Sequence, residues 1–208
     1  MIKRTLLSLL LTALSCGLQA ASVEVDFLGK LDDAQENVAD PEKARIGKYT
    51  IIEMMAKCEF DEQCELNMKP QLEKLAKEDK NIIYSAFLKY LNWEKSDLEF
   101  NIKHCQIDDK KALRKVYAKC YLEWVDAEKN HSSQNRHDID VLEDKRYRCL
   151  QENALPLAEA GNIFAQADLV NLAQHFQETA QMNKWAAKIE ALKNTHKYEQ
   201  YMKCSEIP

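Results

Sequence analysis

The chain has 208 residues, with 29 basic and 34 acidic side chains and a formal net charge of −5. This balance excludes a basic nucleic-acid-binding chain, because neutralising phosphate groups requires clustered lysine and arginine. With four glycines in all, the sequence also argues against a glycine-rich phosphate-binding loop.

The first twenty residues have the layout of a secretory signal peptide. Lys3 and Arg4 precede an apolar run over residues 6–14, and Ala20 supplies a small residue for signal peptidase. The run is shorter than the ~18 residues that a membrane-spanning helix requires. We therefore predict that residues 1–20 are removed, that the protein is periplasmic, and that it is not an integral membrane protein.

A lipid-anchored form is the alternative destination. Cys16 would carry the lipid, but bacterial lipoprotein signals usually place leucine three residues before the cysteine, where this chain has Ala13. We therefore favour the cleaved, unanchored form. Cleavage removes two basic side chains and no acidic one, which leaves 27 basic and 34 acidic side chains and a net charge of −7. This charge favours a basic partner or region through electrostatic steering.

Residues 21–40 form an acidic segment, with six acidic side chains and one lysine. Their composition predicts a mobile N-terminal arm. Beyond the arm, glycine and proline become rare and apolar residues recur at three- and four-residue steps, as on helices. Residues 41–208 are therefore predicted to form one helical domain.

Proline and an apolar stripe mark the first helices of this domain. Asp40 is suited to cap a helix that begins at Pro41 and runs to about Cys58, since proline is favoured in the first turn. Pro70 starts or kinks a further helix. The apolar stripe of the next helix consists of Ile83, Phe87, Tyr90 and Leu91.

Two further start signals lead into a long helix. Ser96 and Glu99 have the spacing of a capping box, in which each side chain bonds a backbone amide at the start of a helix. Asp108 or Asp109 then caps a long helix whose apolar side chains share one face. They are Leu113, Val116, Tyr117, Cys120 and Trp124.

The second half of the domain begins with a polar stretch. Residues 129–138 are wholly polar and predict an exposed loop. A helix follows from about Ile139 and ends at Gly161, because glycine tolerates the left-handed C-terminal cap. Two more helices are predicted over residues 164–176 and 182–204. Beyond the arm there is no strand-like alternation, so the predicted fold class is all-α, built from stacked antiparallel helix pairs.

Six cysteines remain beyond residue 20, and an oxidising exported compartment predicts that they form disulfides. No Cys-x-x-Cys pattern occurs, which argues against a thioredoxin-type redox pair or a zinc knuckle. Cys58 and Cys64 are suited to a local pair across a turn, while the remaining connectivity stays open. The predicted structural cysteines are Cys58, Cys64, Cys105, Cys120, Cys149 and Cys204.

Residues 157–192 contain a repeat-like pattern. The segment LAEAGN at residues 157–162 ends one predicted helix, and AQADL at residues 165–169 opens the next. This resembles about one repeat of the Sel-like repeat family, relatives of the tetratricopeptide repeats, although Val170 stands where the family usually has glycine. The resemblance implies a short, disulfide-stapled solenoid with a Sel-like helix pair within residues 157–203. The motif residues are Ala158, Gly161, Ala165, Gln166, Leu169 and Trp185.

The resemblance also implies a protein-binding function, because such helix stacks present a concave face to another protein or peptide. We therefore predict an exported, periplasmic helical-repeat protein that binds another envelope or secreted protein, as an immunity protein or an adaptor. The alternative is an envelope hydrolase or a β-lactam-binding or β-lactam-hydrolysing enzyme, because some exported, cysteine-bridged members of the family have been linked to β-lactams.

No catalytic, cofactor-binding or metal-ligating residue is assigned from the sequence. It contains neither the Gly-x-Ser-x-Gly nor the Ser-x-x-Lys pattern of serine nucleophiles. His131 and His137 bracket the polar loop near Asp138 and Asp140, where we favour a solvated loop over a metal site. His175 is interpreted as a half-buried core histidine rather than a catalytic base.

Overall fold

The computed structural model of the chain describes residue 31, residues 39–130 and residues 136–205. The predicted signal peptide with Cys16, most of the predicted arm and the loop residues 131–135 lie outside these described residues. Leu31 is buried in the hydrophobic core, so this one position of the acidic segment packs against the helical domain. Over the described ranges the chain is helical and contains no strand, which confirms the all-α prediction.

The helices of the first half begin at the predicted caps and prolines. Oδ1 of Asp40 accepts a hydrogen bond from a backbone N–H three residues on, at 3.0 Å, and Pro41 lies in the first turn. Pro70 lies in the first turn of its own helix. Asn81 caps the next helix through Oδ1. These helices are α1 (Pro41–Lys57), α2 (Glu62–Asn67), α3 (Lys69–Asp79), α4 (Ile82–Trp93) and α5 (Lys95–His104).

The second half contains the longest helices. Gly161 follows the end of α7 with a φ of +90°, which confirms the predicted glycine cap. Asn162 then caps α8, because its Oδ1 accepts a hydrogen bond from the backbone N–H of Ala165 at 3.0 Å. The helices are α6 (Asp108–Asn130), α7 (Arg136–Glu159), α8 (Ile163–His175), α9 (Thr179–Glu190) and α10 (His196–Ser205).

Helices that follow one another in the chain pack side by side in the second half. α6 packs on α7, α7 on α8, and α8 on α9, while α1 lies against α6. In the first half, α3 packs on α4 and α2 on α5. Every residue from Ile163 to Val170 is buried, which places α8 at the centre of the fold.

Three disulfides join the six predicted cysteines, in the pairs Cys58–Cys64, Cys105–Cys204 and Cys120–Cys149. The first closes the turn between α1 and α2, as the spacing predicted. The second ties the end of α5 to α10 across 99 residues of sequence. The third links α6 to α7. A long-range bridge therefore joins the first half of the domain to its last helix.

The predicted capping box at Ser96 and Glu99 is wrong. Helix α5 begins at Lys95, directly after α4, and no side chain caps it. The carbonyl group of Glu94 instead accepts the first hydrogen bond of α5, from the backbone N–H of Leu98 at 2.9 Å. The chain passes from α4 to α5 without a loop, so the position that Ser96 would cap lies inside the helix.

The predicted single helix over residues 182–204 is also wrong. It is two helices, α9 and α10, separated by a turn over residues 191–195 in which the hydroxyl group of Thr195 donates to the carbonyl group of Leu192 at 2.7 Å. A continuous helix of this length would extend about 33 Å. The turn brings α10 back onto the domain, where Cys204 reaches Cys105.

The predicted polar loop at residues 129–138 is shorter than expected. Lys129 and Asn130 are the last residues of α6, and residues 136–138 are already helical in α7. The stretch contains neither glycine nor proline, the residues that most strongly end a helix, so its sequence permits helix at both ends. Within the described part of the chain, no helix has the length and apolar content needed to cross a membrane.

Candidate functional site

A cavity of about 150 Å³ lies where α2, α5, α6, α8 and α10 meet, and we call it the central cavity. It is partly open to solvent. Aromatic and apolar side chains supply most of its walls, and a small number of polar groups converge among them, as in ligand-binding pockets. The apolar side chains include Phe60, Leu98, Leu113, Tyr117, Phe164 and Tyr201.

A buried ion-pair cluster forms one side of the central cavity. Glu62, in the first turn of α2, has 4% of its surface exposed. Its Oε1 atom contacts Nζ of Lys110 at 3.2 Å and also pairs with the guanidinium group of Arg114. Lys110 and Arg114 lie four residues apart on one face of α6. The carboxylate therefore holds two cations from α6 against α2.

Glu65 and Lys110 are two titratable groups on the same side of the central cavity as Glu62, and burial shifts the pKa of each. Burial raises the pKa of Glu65 to about 8, the charge of Asp61 adds to this shift, and Lys110 opposes it. Burial likewise lowers the pKa of Lys110 to about 8, against the attraction of Glu65. Loss of hydration thus outweighs the mutual attraction of the two groups, and both titrate close to neutral pH.

Asp168, on α8, forms the opposite side of the central cavity. It is 4% exposed, and its Oδ1 atom accepts a hydrogen bond from the hydroxyl group of Tyr117 on α6. Burial raises the pKa of the Asp168 carboxyl to about 6, and the Tyr117 hydrogen bond works in the opposite direction. The carboxylate is therefore largely ionised at pH 7 although it is buried.

Buried oxygen atoms of four side chains in the cavity wall have no hydrogen-bond partner among the described residues. They belong to side chains that are at most 5% exposed. Native proteins pair the large majority of such buried polar atoms, so a cluster of exceptions in one cavity requires an explanation. The atoms are Oε2 of Glu62, Oδ1 of Asn101, Oδ2 of Asp168 and Oγ of Ser205.

The Cys105–Cys204 disulfide positions two of these side chains. It holds the end of α5 against α10, with the Cα atoms 5.5 Å apart. Asn101 precedes Cys105 by one helical turn, and Ser205 follows Cys204 directly. One bridge therefore places an amide oxygen and a hydroxyl group, from distant parts of the sequence, at the same cavity.

The residues of the Sel-like motif have structural positions. Ala158, Ala165, Leu169 and Trp185 are buried, and they lie where α7, α8 and α9 pack together. Nε2 of the buried Gln166 donates a hydrogen bond to the carbonyl group of Ala158 at 3.0 Å, which joins α8 to the last turns of α7. The motif therefore builds helix packing rather than the central cavity.

A second cavity, of about 260 Å³, lies along these same helices, and we call it the α7–α9 groove. Leu155, Leu169 and Trp185 line it, together with the acidic side chain of Glu178. Glu178 accepts hydrogen bonds from the side chains of Arg148 and Gln151. Its carboxylate is thus already engaged, unlike that of Asp168.

His175 does not line the central cavity. His175 is exposed, with 43% of its side chain accessible and Nε2 3.6 Å from a carboxylate oxygen of Asp144, so the interpretation as a half-buried core histidine is wrong. His131 lies outside the described residues, as do the side chains of His137 and Asp138. Among the described residues, no group of three metal-ligating side chains occurs.

Sequence reasoning missed the polar residues of the central cavity. Asp168 had a visible signal, since it is the one acidic residue of the largely apolar helix α8 and lies in the middle of that helix. Glu62 and Glu65 precede no apolar run and read as ordinary helix-start acids. Ser205 and Asn101 carry no sequence signal, because only a long-range disulfide brings them together.

No family model matches the chain, and neither the curated proteins nor the solved structures give a match. The resemblance of residues 157–192 to Sel-like repeats therefore rests on those residues alone.

Proposed function

We propose that this chain is an exported binding protein of the cell envelope, and that the central cavity receives part of its partner. The observation that carries the proposal is that buried oxygen atoms of four side chains in one cavity have no hydrogen-bond partner among the described residues. Water satisfies such atoms in a free protein, and a ligand with matching polar groups takes its place.

The size of the cavity favours a small inserted group. Pockets for whole metabolites usually measure ~300–1,000 Å³, whereas a cavity of about 150 Å³ holds one benzene-sized group. One side chain of a partner protein has this size. The acidic charge of the exported form and the Sel-like resemblance of residues 157–192 also favour a protein partner, in the role of an immunity protein or an adaptor.

An envelope hydrolase is the second candidate, and the titratable groups of the cavity favour it. Glu65 and Lys110 have pKa values near 8 and Asp168 near 6, and perturbed pKa values cluster at active sites. Ser205 supplies a hydroxyl group in the same cavity, but its Oγ atom is hydrogen-bonded to no base among the described residues. Turnover of a chromogenic β-lactam that is lost in Ser205→Ala would support the enzyme and contradict a purely binding function.

A variant in which a larger side chain fills the central cavity tests the proposed binding function. Leu113 lines the central cavity and is only partly buried, so Leu113→Trp should reduce the cavity while the protein stays folded. The matched control is Leu155→Trp, an exposed leucine of the α7–α9 groove. Folding of both variants is checked by circular dichroism and thermal unfolding.

The measurement is capture of envelope proteins on the immobilised exported form, identified by mass spectrometry. We expect a partner that wild type and Leu155→Trp retain and that Leu113→Trp loses. A partner retained by Leu113→Trp and lost from Leu155→Trp would move the binding site to the α7–α9 groove. Export itself is tested by the N-terminal sequence of the periplasmic protein, which should begin just after Ala20.

A further inference from the structure

We infer that the central cavity recognises a positively charged hydrogen-bond donor, a primary ammonium or a guanidinium group, at the carboxylate of Asp168. The inference rests on the proposed function, because it names the chemistry of the group that the cavity accepts. Three independent features of the cavity support it: the kind of atoms without partners, the charge on Asp168, and the aromatic walls.

Three of these four oxygen atoms can only accept hydrogen bonds. Two of them belong to ionised carboxylates, Oε2 of Glu62 and Oδ2 of Asp168, and the third is the amide carbonyl oxygen Oδ1 of Asn101. Such oxygen atoms can accept hydrogen bonds but cannot donate them. Oγ of Ser205 can accept as well as donate. A ligand that satisfies this set must bring several N–H or O–H donors.

Asp168 and Glu65 are the acidic groups of the cavity without an ion pair among the described residues, and the charge of Lys110 acts on Glu65 but not on Asp168. Glu62 is paired with Lys110 and Arg114, but within the described part of the chain no ion pair involves Asp168. Its one hydrogen bond comes from the neutral hydroxyl group of Tyr117.

The electrostatics of Asp168 support the same conclusion. The Tyr117 hydrogen bond is the one influence that lowers its pKa, and neither basic group of the cavity contributes. Lys110 and Arg114 thus compensate the α2 side of the cavity and leave the charge of Asp168 available to a ligand.

Aromatic side chains of the central cavity also suit a cation. Tyr117, Phe164 and Tyr201 all line the central cavity, and the rings of Phe164 and Tyr201 meet edge to face with centroids 5.3 Å apart. Ring faces attract ammonium and guanidinium groups through the negative charge of their π electrons. An anion beside Asp168 would instead approach a buried carboxylate that has no ion pair among the described residues, which disfavours acidic and phosphorylated ligands at this position.

Two sources can supply this cationic group, a free amine in the periplasm or a lysine or arginine side chain of a partner protein. Probes of matched length separate charge from shape: n-butylammonium is the cation, n-butanol the neutral analogue and n-butyrate the anion. The N-acetyl N′-methylamides of lysine and arginine represent side chains of a protein. Isothermal titration calorimetry of each probe with the exported form gives the dissociation constants at pH 7.5.

Two variants assign the binding to the cavity. Asp168→Asn keeps the shape of the side chain and removes its charge, and Asn101→Leu removes an acceptor oxygen without a change of charge. The matched control is Asp144→Asn, an acidic residue with 67% of its side chain exposed. All three are checked for folding by circular dichroism.

We expect n-butylammonium to bind wild type and Asp144→Asn about equally, and to bind Asp168→Asn about tenfold more weakly or worse, as for loss of a charged hydrogen bond. Asn101→Leu should weaken it severalfold, and n-butanol should bind wild type about tenfold more weakly than n-butylammonium. Tighter binding of the amino-acid amides than of n-butylammonium assigns the cation to a protein side chain, and the reverse order assigns it to a free amine.

Equal or tighter binding of n-butyrate or n-butanol, or unchanged binding of n-butylammonium by Asp168→Asn, would overturn the inference. If no cationic probe binds while Leu113→Trp still loses a captured partner, the cation inference fails and the proposed function stands. If no cationic probe binds and Leu113→Trp keeps every partner, both fail.

Discussion

The hydroxyl group of Tyr117, on α6, donates a hydrogen bond to Oδ1 of Asp168, on α8. This contact joins two helices at the centre of the fold and fixes one oxygen of the carboxylate. The other oxygen, Oδ2, belongs to the central cavity and has no partner among the described residues. The side chain of Asp168 therefore joins α6 to α8 and also forms part of the polar wall of the central cavity.

The pH dependence of stability tests the burial of Asp168. Its pKa rises from 3.8 to about 6 in the folded chain, because burial disfavours the ionised form. The folded state then binds more protons than the unfolded state between these values, so the free energy of unfolding falls as pH rises through this range. Asp168→Asn has no titratable group at this position, so its free energy of unfolding should not fall in this way. Relative to wild type, its free energy of unfolding should rise by about 2–3 kcal/mol between pH 4 and pH 7.

Urea unfolding of both proteins at pH 4 and pH 7 measures this gain, and every other titratable group is common to the two proteins. A difference in unfolding free energy that stays constant between the two pH values would show that Asp168 is not buried as described.

The ion-pair cluster at Glu62 predicts an unequal effect of two similar substitutions. Glu62→Gln leaves Lys110 and Arg114 without their buried counter-ion, and should lower the free energy of unfolding by about 3–5 kcal/mol. The control is Glu53→Gln, since Glu53 pairs with two lysines at the surface, where an ion pair contributes ~0–1 kcal/mol. Equal losses in urea unfolding would contradict the burial of the cluster.

The disulfides should differ in their contributions to stability. Cys105–Cys204 closes a loop of 99 residues, whereas Cys58–Cys64 closes one of 6. A disulfide stabilises the fold more when it closes a longer loop, because it removes more entropy from the unfolded chain. Replacing both cysteines with alanine should therefore lower the free energy of unfolding by about 4–5 kcal/mol at Cys105–Cys204 and by about 2 kcal/mol at Cys58–Cys64. Chemical denaturation of the two double variants measures the costs. Free thiols in the denatured, unreduced exported form, which lacks Cys16, would contradict the pairing altogether.

Gly47 is required because α1 passes close to Asn81. A Cβ atom at Gly47 would lie 2.9 Å from Cγ of Asn81, and the buried amide of Asn81 cannot move freely because it caps α4. Gly47→Ala should therefore cost about 1–3 kcal/mol. At Gly161, where nothing lies within 4 Å but φ is +90°, alanine should cost about 1 kcal/mol through backbone strain.

A double-mutant cycle separates these two causes. In an Asn81→Ala background, the cost of Gly47→Ala should shrink, because the obstructing amide is gone, while the cost of Gly161→Ala should not change. Equal costs of Gly47→Ala in both backgrounds would show that the close approach to Asn81 is not the reason for glycine.

Local signals predicted most of the helices. Asp40 with Pro41, the prolines and Gly161 act within one turn of the chain, so their effect is readable from neighbouring residues. The failures at Ser96 and at residues 191–195 arise where distant packing decides. The turn after α9 returns α10 to the domain and brings Cys204 to Cys105, a contact that lies 99 residues away in sequence.

The central cavity was beyond sequence reasoning for the same reason. Its polar side chains come from α2, α5, α6, α8 and α10, and none has a diagnostic spacing to another. The buried acid of α8 was the one local clue. Asp168 lies inside the segment that resembles a Sel-like repeat, but the residues that carry this resemblance are the apolar and small ones.

A crystal structure of the exported form soaked in n-butylammonium tests the central claim most directly. We predict electron density for the ligand in the central cavity, with its ammonium group within hydrogen-bonding distance of Oδ2 of Asp168 and its alkyl chain against Tyr117, Phe164 or Tyr201. In crystals of Asp168→Asn soaked in the same way, the cavity should contain water and no ligand. Ligand density found only outside the cavity in wild type, or equally occupied in both proteins, would contradict it.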